Sequence, residues 1–517
     1  MDQNGNADKA TIDDDVRTLH ALGYGQELAR RMSAFSNFAI SLSIICILSG
    51  GITSFHLGLC SVGGASIGLG WPLVSLLSLA LAATMGQLAS AFPTAGGLYH
   101  WGSILGGRGW GWATAWFNLA GLVTALAAVN VGTYEFVVRA FGPFLGIDLQ
   151  SADGWTKDIT QFAAVSAITF SHAYFNHKGI RATTLLTDFS GYLILVVAVL
   201  LTAALLVFAP SLDVSRLVAF SNYSGIPAPD PVWPRTDNLW LLFALGFMLP
   251  AYTITGFDAS AHTAEETLGA ARAAPRGIVR SVWVSGLFGW VMLVALVLSI
   301  PDMDQAAQQG GEVFYWIIRE VLPAWLVLPL FVGIAVAQYC CGLACLTSAS
   351  RMVYAFARDG GLPRSGLLRR VSPTHRTPSA AIWAVAATAV AFTVFTPVYS
   401  TITTVCVIFL DASYVMPTVS GLLTIGRSWT KMGPWTLGRW YRPLAAICVV
   451  GGVVLFAIGV QPPNDKALWI VLGMAGLLTL YWGVFKRRHF VGPPQGILIQ
   501  TRQAEILAEE KAVGQVS

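Results

Sequence analysis

Runs of about twenty mostly apolar residues recur along this chain, and that length is what a helix needs to cross the hydrocarbon core of a bilayer. Twelve such runs lie between charged clusters, centred near residues 47, 80, 123, 166, 198, 250, 290, 336, 388, 412, 450 and 476, and they are numbered here as segments one to twelve. They are too long for barrel strands and lack strand-like alternation. Only 11% of the residues are charged, where soluble domains carry about a quarter, and mean hydropathy is +0.63. The expectation is an all-α integral membrane protein of twelve transmembrane helices. A polar tail over residues 1–33 lacks the short apolar core and cleavage site of a signal peptide. It precedes a membrane domain over 34–486 and a second polar tail over 487–517.

The charges give an orientation. With both tails inside and twelve crossings, six of the 31 Lys and Arg fall outside: Arg139, Lys157, Arg216, Arg235, Arg319 and Lys466. The remaining 25 lie inside, where cytoplasmic loops collect such residues. The outside loops are acidic, with Asp148, Asp153, Asp158, Asp213, Asp230, Asp237, Asp302, Asp304, Glu312, Glu320 and Asp465. The expected setting is a plasma or bacterial inner membrane with both termini cytoplasmic. A net charge of +4 gives no reason to expect a nucleic-acid partner. Six of the seven cysteines (Cys46, Cys340, Cys341, Cys345, Cys406, Cys448) fall in apolar runs and Cys60 at a run's end. None pairs with histidine in a metal-type pattern, so they read as small core residues, with no metal and no cofactor expected.

Two segments are interrupted. Segment one contains Ser49-Gly50-Gly51-Ile52-Thr53, and segment six contains "TITGFDASAH" over 253–262, with Gly256 beside Phe257 and Asp258. Glycine weakens a helix by about 1 kcal/mol relative to alanine. Non-helical backbone survives at membrane depth only where it lines a cavity or is buried in protein. Close helix packing is the blander use of small residues. Breaks at corresponding positions of two halves point instead to a transporter site between inverted repeats. Breaks in segments one and six give a five-helix repeat, about 34–210 and about 238–426, with two added helices over about 442–486. A half-helix amino end suits a carboxylate, and freed carbonyls with an acid suit an amine.

Among ionisable residues, Asp258 is read as meeting a substrate amine or a proton, or as an acceptor for unwound backbone. Asp411 in segment ten is read as a gate or proton group, or as a satisfied polar contact. Glu135 and Arg139 are spaced for an i,i+4 ion pair, and Asp188 reads as interfacial. Asp258 and His262 are spaced to pair on a helix, and His172, Asn176 and His177 read as a solvated helix end. Gln87 is polar at the end of segment two. Glu265 and Glu266, with Arg272, Arg276 and Arg280 nearby, suggest an inside charge latch.

Four stretches together resemble the amino acid–polyamine–organocation superfamily, and within it the amino-acid, GABA and choline permeases: "LGYGQELARRMS" (22–33), "GWPLVSLLSLALAATMGQLASAFPTAGGLYHW" (70–101), "TGFDASAHTAEETLGAARAAPRGI" (255–278) and "SASRMVYAFARDGGLP" (348–363). The resemblance implies the five-plus-five inverted repeat, alternating access, and a site between segments one, three, six, eight and ten. Carried over by position, Ser49, Gly50, Gly51 and Ile52, followed by Thr53, would bind a carboxylate. Thr255, Gly256, Phe257, Asp258 and Ala259 would face the amine and side chain, with Phe257 as an aromatic gate. Gln87, Glu265 and Asp411 are the gating or coupling candidates. Gln87 stands where many relatives have glutamate, and segment five lacks the lysine that replaces sodium in some proton-coupled relatives. Ser348 and Ser350 are the oxygens available for sodium, which is the less favoured ion beside a proton.

The leading expectation is therefore a permease importing an amino acid or a related amine such as GABA. The alternatives are an amino acid/product antiporter, a choline or polyamine transporter, and a transporter-like sensor. An enzyme is not expected, since no H-E-x-x-H or closely spaced His/Asp group occurs, and the lack of a nucleotide-binding signature argues against a primary pump. No oligomeric filter loop of a channel is evident.

Overall fold

The computed structural model describes residues 2–146, 154–395 and 399–513, so Asp148 and Asp153 lie outside the described residues. Every element among the described residues is helical; the only bridges are the isolated Met32–Thr267 and Ile425–Trp429. Each of the twelve apolar centres falls within or beside a helix. Among the described residues, nine helices are long and apolar enough to cross a membrane. The helices of segments six and nine, Leu239–Thr253 and Ser379–Val394, are apolar but shorter. Segment six is short because its helix stops at the break. Segment four, Gly154–His177, opens on the polar turn Thr156-Lys157-Asp158.

The helices differ in how much they bury. Segment eight, Ala324–Arg358, is 35 residues long and its second half is enclosed on all sides. Segment three, Arg108–Leu145, has 38 residues, about 57 Å of helix, nearly twice a hydrocarbon core. It runs between segments eight and ten and packs along both. Segments two and seven form another long interface. Segment twelve, by contrast, buries only 6% of its apolar window. Outward side chains such as Val207 (74% exposed) and Trp469 (70%) would be costly in water, and an apolar solvent around the bundle removes that cost. All seven cysteines are buried and unpaired, in keeping with their reading as small core residues.

The N-terminal tail is not a loose extension. Helix Asp2–Ala21 lies on the same face as the C-terminal helix Gln503–Ala512. His20 meets Glu510 at 2.7 Å, and the Gln26 amide donates to the same carboxylate at 2.8 Å. The Asp15 carboxylate accepts from the amides of Gly269 and Ala270, at the start of segment seven. We call this side the tail face.

Candidate functional site

Break one begins where helix Ala34–Ile45 ends at Cys46. The chain turns through Ile47 and Leu48 and resumes helical geometry over Gly50–Thr53 and Phe55–Val62. Ser49 gives no side-chain cap to that restart. Carbonyls released from the helical ladder need partners away from water. Segment eight supplies them: Gln338 donates to the Leu48 carbonyl at 3.1 Å, and the Cys341 thiol to that of Ile44 at 3.3 Å. Gly50 is required by crowding, since a Cβ there would sit 2.9 Å from the Thr253 Cα in segment six.

Break two begins where helix Met248–Thr253 ends at Ile254. Thr255 and Gly256 are non-helical, and helix resumes over Ala259–His262. Gly256 has φ +83°, a left-handed value that a side chain disfavours, and a Cβ there would meet the Ile44 Cγ2 at 2.2 Å. The two breaks therefore interlock, glycine against opposite segment in each direction. The Gly256 amide donates to the Tyr414 hydroxyl at 3.0 Å, and that hydroxyl donates to Asp258 Oδ1 at 2.9 Å. Asp258 Oδ2 accepts from Asn118 at 2.9 Å and lies 3.1 Å from His262 Nε2. Asn37 and Ser41, in the first half of segment one, donate to the carbonyls of Ser260 and Phe257, both at 2.9 Å. The Phe257 ring packs on Tyr414 with centroids 4.9 Å apart.

Between the breaks lies a narrow cavity of about 20 Å³, reached by Ser49, Gly50, Thr253, Thr255 and Gly256. Leu122 and Ala125 of segment three, Cys341 and Cys345 of segment eight, and Leu410 of segment ten complete its wall. A second cavity of about 30 Å³ touches Thr255, Phe257, Tyr414 and Asp411. Among the described residues Asp411 shows no hydrogen bond or ion pair; its carboxylate lies against Gly452 of segment eleven.

Below the breaks, toward the tail face, sits a buried ionic layer. Arg351 holds Glu266 through two hydrogen bonds of 2.8 and 3.1 Å, with both side chains fully buried. Arg358 holds Glu265 in the same forked manner at 2.9 and 3.0 Å, and Glu265 also accepts from the Ala95 amide at 3.0 Å. Arg30 donates to the carbonyls of Ala264 and Thr267. Forked arginine–carboxylate pairs of this kind fix geometry as well as charge. Below the layer, the Asp359 carboxylate accepts from Tyr24 and Tyr99, both at 2.8 Å, and burial raises its pKa above the ordinary carboxylate value.

Of the expected site residues, Ser49, Gly50, Thr255 and Gly256 reach the cavity between the breaks, and Phe257 and Asp411 reach the second. Gly51, Ile52 and Thr53 continue the restarted helix, and Gly51 faces Met292 of segment seven. Asp258 and Ala259 lie buried behind break two, lining neither cavity. Glu265 stands in the ionic layer. Gln87 is buried away from the breaks, accepting from the Leu437 amide at 2.8 Å in the link after segment ten. Asp188 is partly buried and accepts from Ser36 at 2.9 Å. Arg139 meets both Glu135 (3.4 Å) and Glu312 (2.9 Å).

Two expectations are corrected. The partners of Glu265 and Glu266 are Arg358 and Arg351, not Arg272, Arg276 or Arg280, because helix Ala270–Leu298 carries those three away as segment seven starts. His172 and Asn176 are fully buried rather than solvated, with the His172 ring 4.4 Å from that of Tyr339. The arginine partners carry a signal in the sequence: Arg351 and Arg358 are seven apart, two helical turns, and so share a face. Asn118, Tyr414 and Asn37 carry no comparable pattern.

A family model described as amino acid permease matches residues 32–485. The amino-acid permease BAT1 of Arabidopsis thaliana is 31% identical, over 93% of this chain and 96% of its own. A GABA-specific permease of Saccharomyces cerevisiae is 26% identical, over 94% of this chain and 87% of its own. A putative polyamine transporter of Candida albicans is also 26% identical, over 94% and 90%. With the family model spanning nearly all the apolar segments, the chain belongs to the amino acid permeases of the amino acid–polyamine–organocation superfamily.

Proposed function

We propose that this protein is a secondary active transporter that imports an amino acid or a related amine such as GABA by alternating access. One observation carries the reading: two broken helices interlock at Gly50 and Gly256 around a small cavity, with partners from segments three, eight and ten. Relatives that are amino acid, GABA and polyamine permeases support the substrate class. In this reading twelve spans form two inverted repeats plus two helices, and the tail face is cytoplasmic. The restart after Ser49 and Gly50 receives the carboxylate, while Thr255, Gly256 and Phe257 face the amine and side chain. Three protein donors already fill the Asp258 carboxylate, so its task is to hold break two through Tyr414 and Asn118. Asp411 is the proton-coupling group, being a lone carboxylate against the cavity that Thr255 and Phe257 share. The Arg351–Glu266 and Arg358–Glu265 pairs close the tail face and must part for release inward.

The test is uptake by proteoliposomes of purified protein, screening radiolabelled amino acids, GABA and choline. An inward proton gradient, an inward sodium gradient and internal unlabelled substrate are compared. Accumulation on a proton gradient is the expected result. Transport only with substrate on both sides would replace the importer by an antiporter. Absence of uptake for every compound under all three conditions would sink the reading.

A further inference from the structure

Beside the ionic layer, the tail face holds a second kind of cavity. It measures about 130 Å³ and is formed by three separate stretches of chain. These are the lead-in to segment one, the link between segments four and five, and the loop after segment eight. Each brings a cation: Arg31 from the first, Lys178 and Arg181 from the second, and Arg376, next to the His375 imidazole, from the third. No carboxylate lines it. Among the described residues, Arg31, Lys178 and Arg181 have no ion-pair partner; the Lys178 ammonium lies 5.2 Å over the Tyr174 ring.

Further features mark the cavity as built. Arg376 has φ +51°, a left-handed value uncommon outside glycine, and strain of that kind persists only where the surroundings enforce it. Its guanidinium donates to the carbonyls of Gln26, Glu27 and Leu28, which ties the loop after segment eight to the lead-in of segment one. Burial and the nearby Arg31 lower its pKa below the usual arginine value. Helix Ile180–Phe208 starts at the cavity wall, and its N-cap, Gly179, offers no side chain to its first amides. A long helix with an uncapped amino end adds positive potential to that of the side chains. Like charges gathered this closely repel, and a bound anion removes the repulsion.

We infer that this cavity binds a phosphate-bearing anion, either a lipid headgroup or a small soluble phosphate. Several cationic donors approaching from three directions suit an anion with acceptor oxygens on all sides, and arginine forks match phosphate geometry. A bound phosphate bridges the lead-in to segment one, the link between segments four and five and the loop after segment eight. It therefore holds together stretches that flank the buried arginine–glutamate layer and stabilises the closed tail face. The inference does not depend on which substrate is carried or which ion drives transport.

Thermal unfolding of the full-length protein tests it. In detergent, inorganic phosphate is compared with chloride at equal ionic strength. In vesicles, phosphatidylcholine alone is compared with phosphatidylcholine plus phosphatidylglycerol. A melting temperature raised by about 2 °C in inorganic phosphate, or on adding the net-anionic phosphatidylglycerol to zwitterionic phosphatidylcholine, is expected for the native protein. K178Q/R181Q, and separately R31Q, should abolish that rise while melting as the native protein does in chloride. These side chains are exposed, and the native comparison stands even if a variant folds poorly. A rise with inorganic phosphate identifies a soluble ligand, and a rise only with phosphatidylglycerol identifies a headgroup. No rise in either setting overturns the inference, and so does a rise that the folded variants keep in full.

Discussion

Break one contains no carboxylate or basic side chain, and its freed carbonyls are met by Gln338 and Cys341 from segment eight. Break two is built around Asp258, which takes hydrogen bonds from segments three and ten and from His262 within its own segment. Both breaks use a glycine, for different reasons. Gly50 is crowded by Thr253 but has ordinary backbone angles, whereas Gly256 is crowded by Ile44 and also left-handed. The first break is shaped by what it lacks, small side chains letting another helix approach. The second is shaped by what it holds, a charge whose acceptors organise three neighbours. One bundle thus interrupts its helices in two ways, and only one of them places a charge at its centre.

Removing that charge should produce the largest effect. Asp258→Ala leaves buried donors on Asn118, Tyr414 and His262 without their acceptor, at a cost of about 3–5 kcal/mol. Uptake should be abolished and the melting temperature should fall sharply; native-like melting would show that break two does not depend on the carboxylate. Gly256→Ala comes next, at about 2–4 kcal/mol, from the left-handed backbone and the clash with Ile44. Its thermal shift, measured beside uptake, should exceed that of any alanine in break one, and a smaller shift would erase the distinction between the breaks. The smallest effects separate neighbouring glycines within break one. Gly50→Ala presses on backbone, costing about 1–3 kcal/mol. A Cβ on Gly51 meets no atom closer than 3.8 Å, so Gly51→Ala should shift stability by no more than about 1 kcal/mol. Equal thermal shifts for the two would mean that the approach of Thr253 is not what demands glycine.

The helical segments and both breaks were legible in the sequence because each follows from local composition. A bilayer demands long apolar runs, and Ser49-Gly50-Gly51 or Thr255-Gly256 interrupt them wherever they stand. The ionic layer was not legible, because Glu265 and Arg358 are 93 residues apart, and nearer arginines at 272, 276 and 280 satisfy sequence proximity equally well. Only the direction in which segment seven leaves decides between them. His172 was misread for a related reason. A histidine and an asparagine near a helix end look the same in sequence whether the end meets water or, as here, Tyr339. Asp258 was found by its charge, yet its saturation by Asn118 and Tyr414 depends on segments three and ten closing around it.

The contact between His20 and Glu510 joins residues separated by 490 positions. A ribosome delivers the first of these long before the second, so this contact forms only after all the apolar segments between them have been made. Until then the amino-terminal helix can settle through Asp15 but lacks its carboxyl-terminal anchor. The tail face therefore depends on both ends of the fold at once: a chain cut short before Gln503 would leave the amino-terminal helix without this contact.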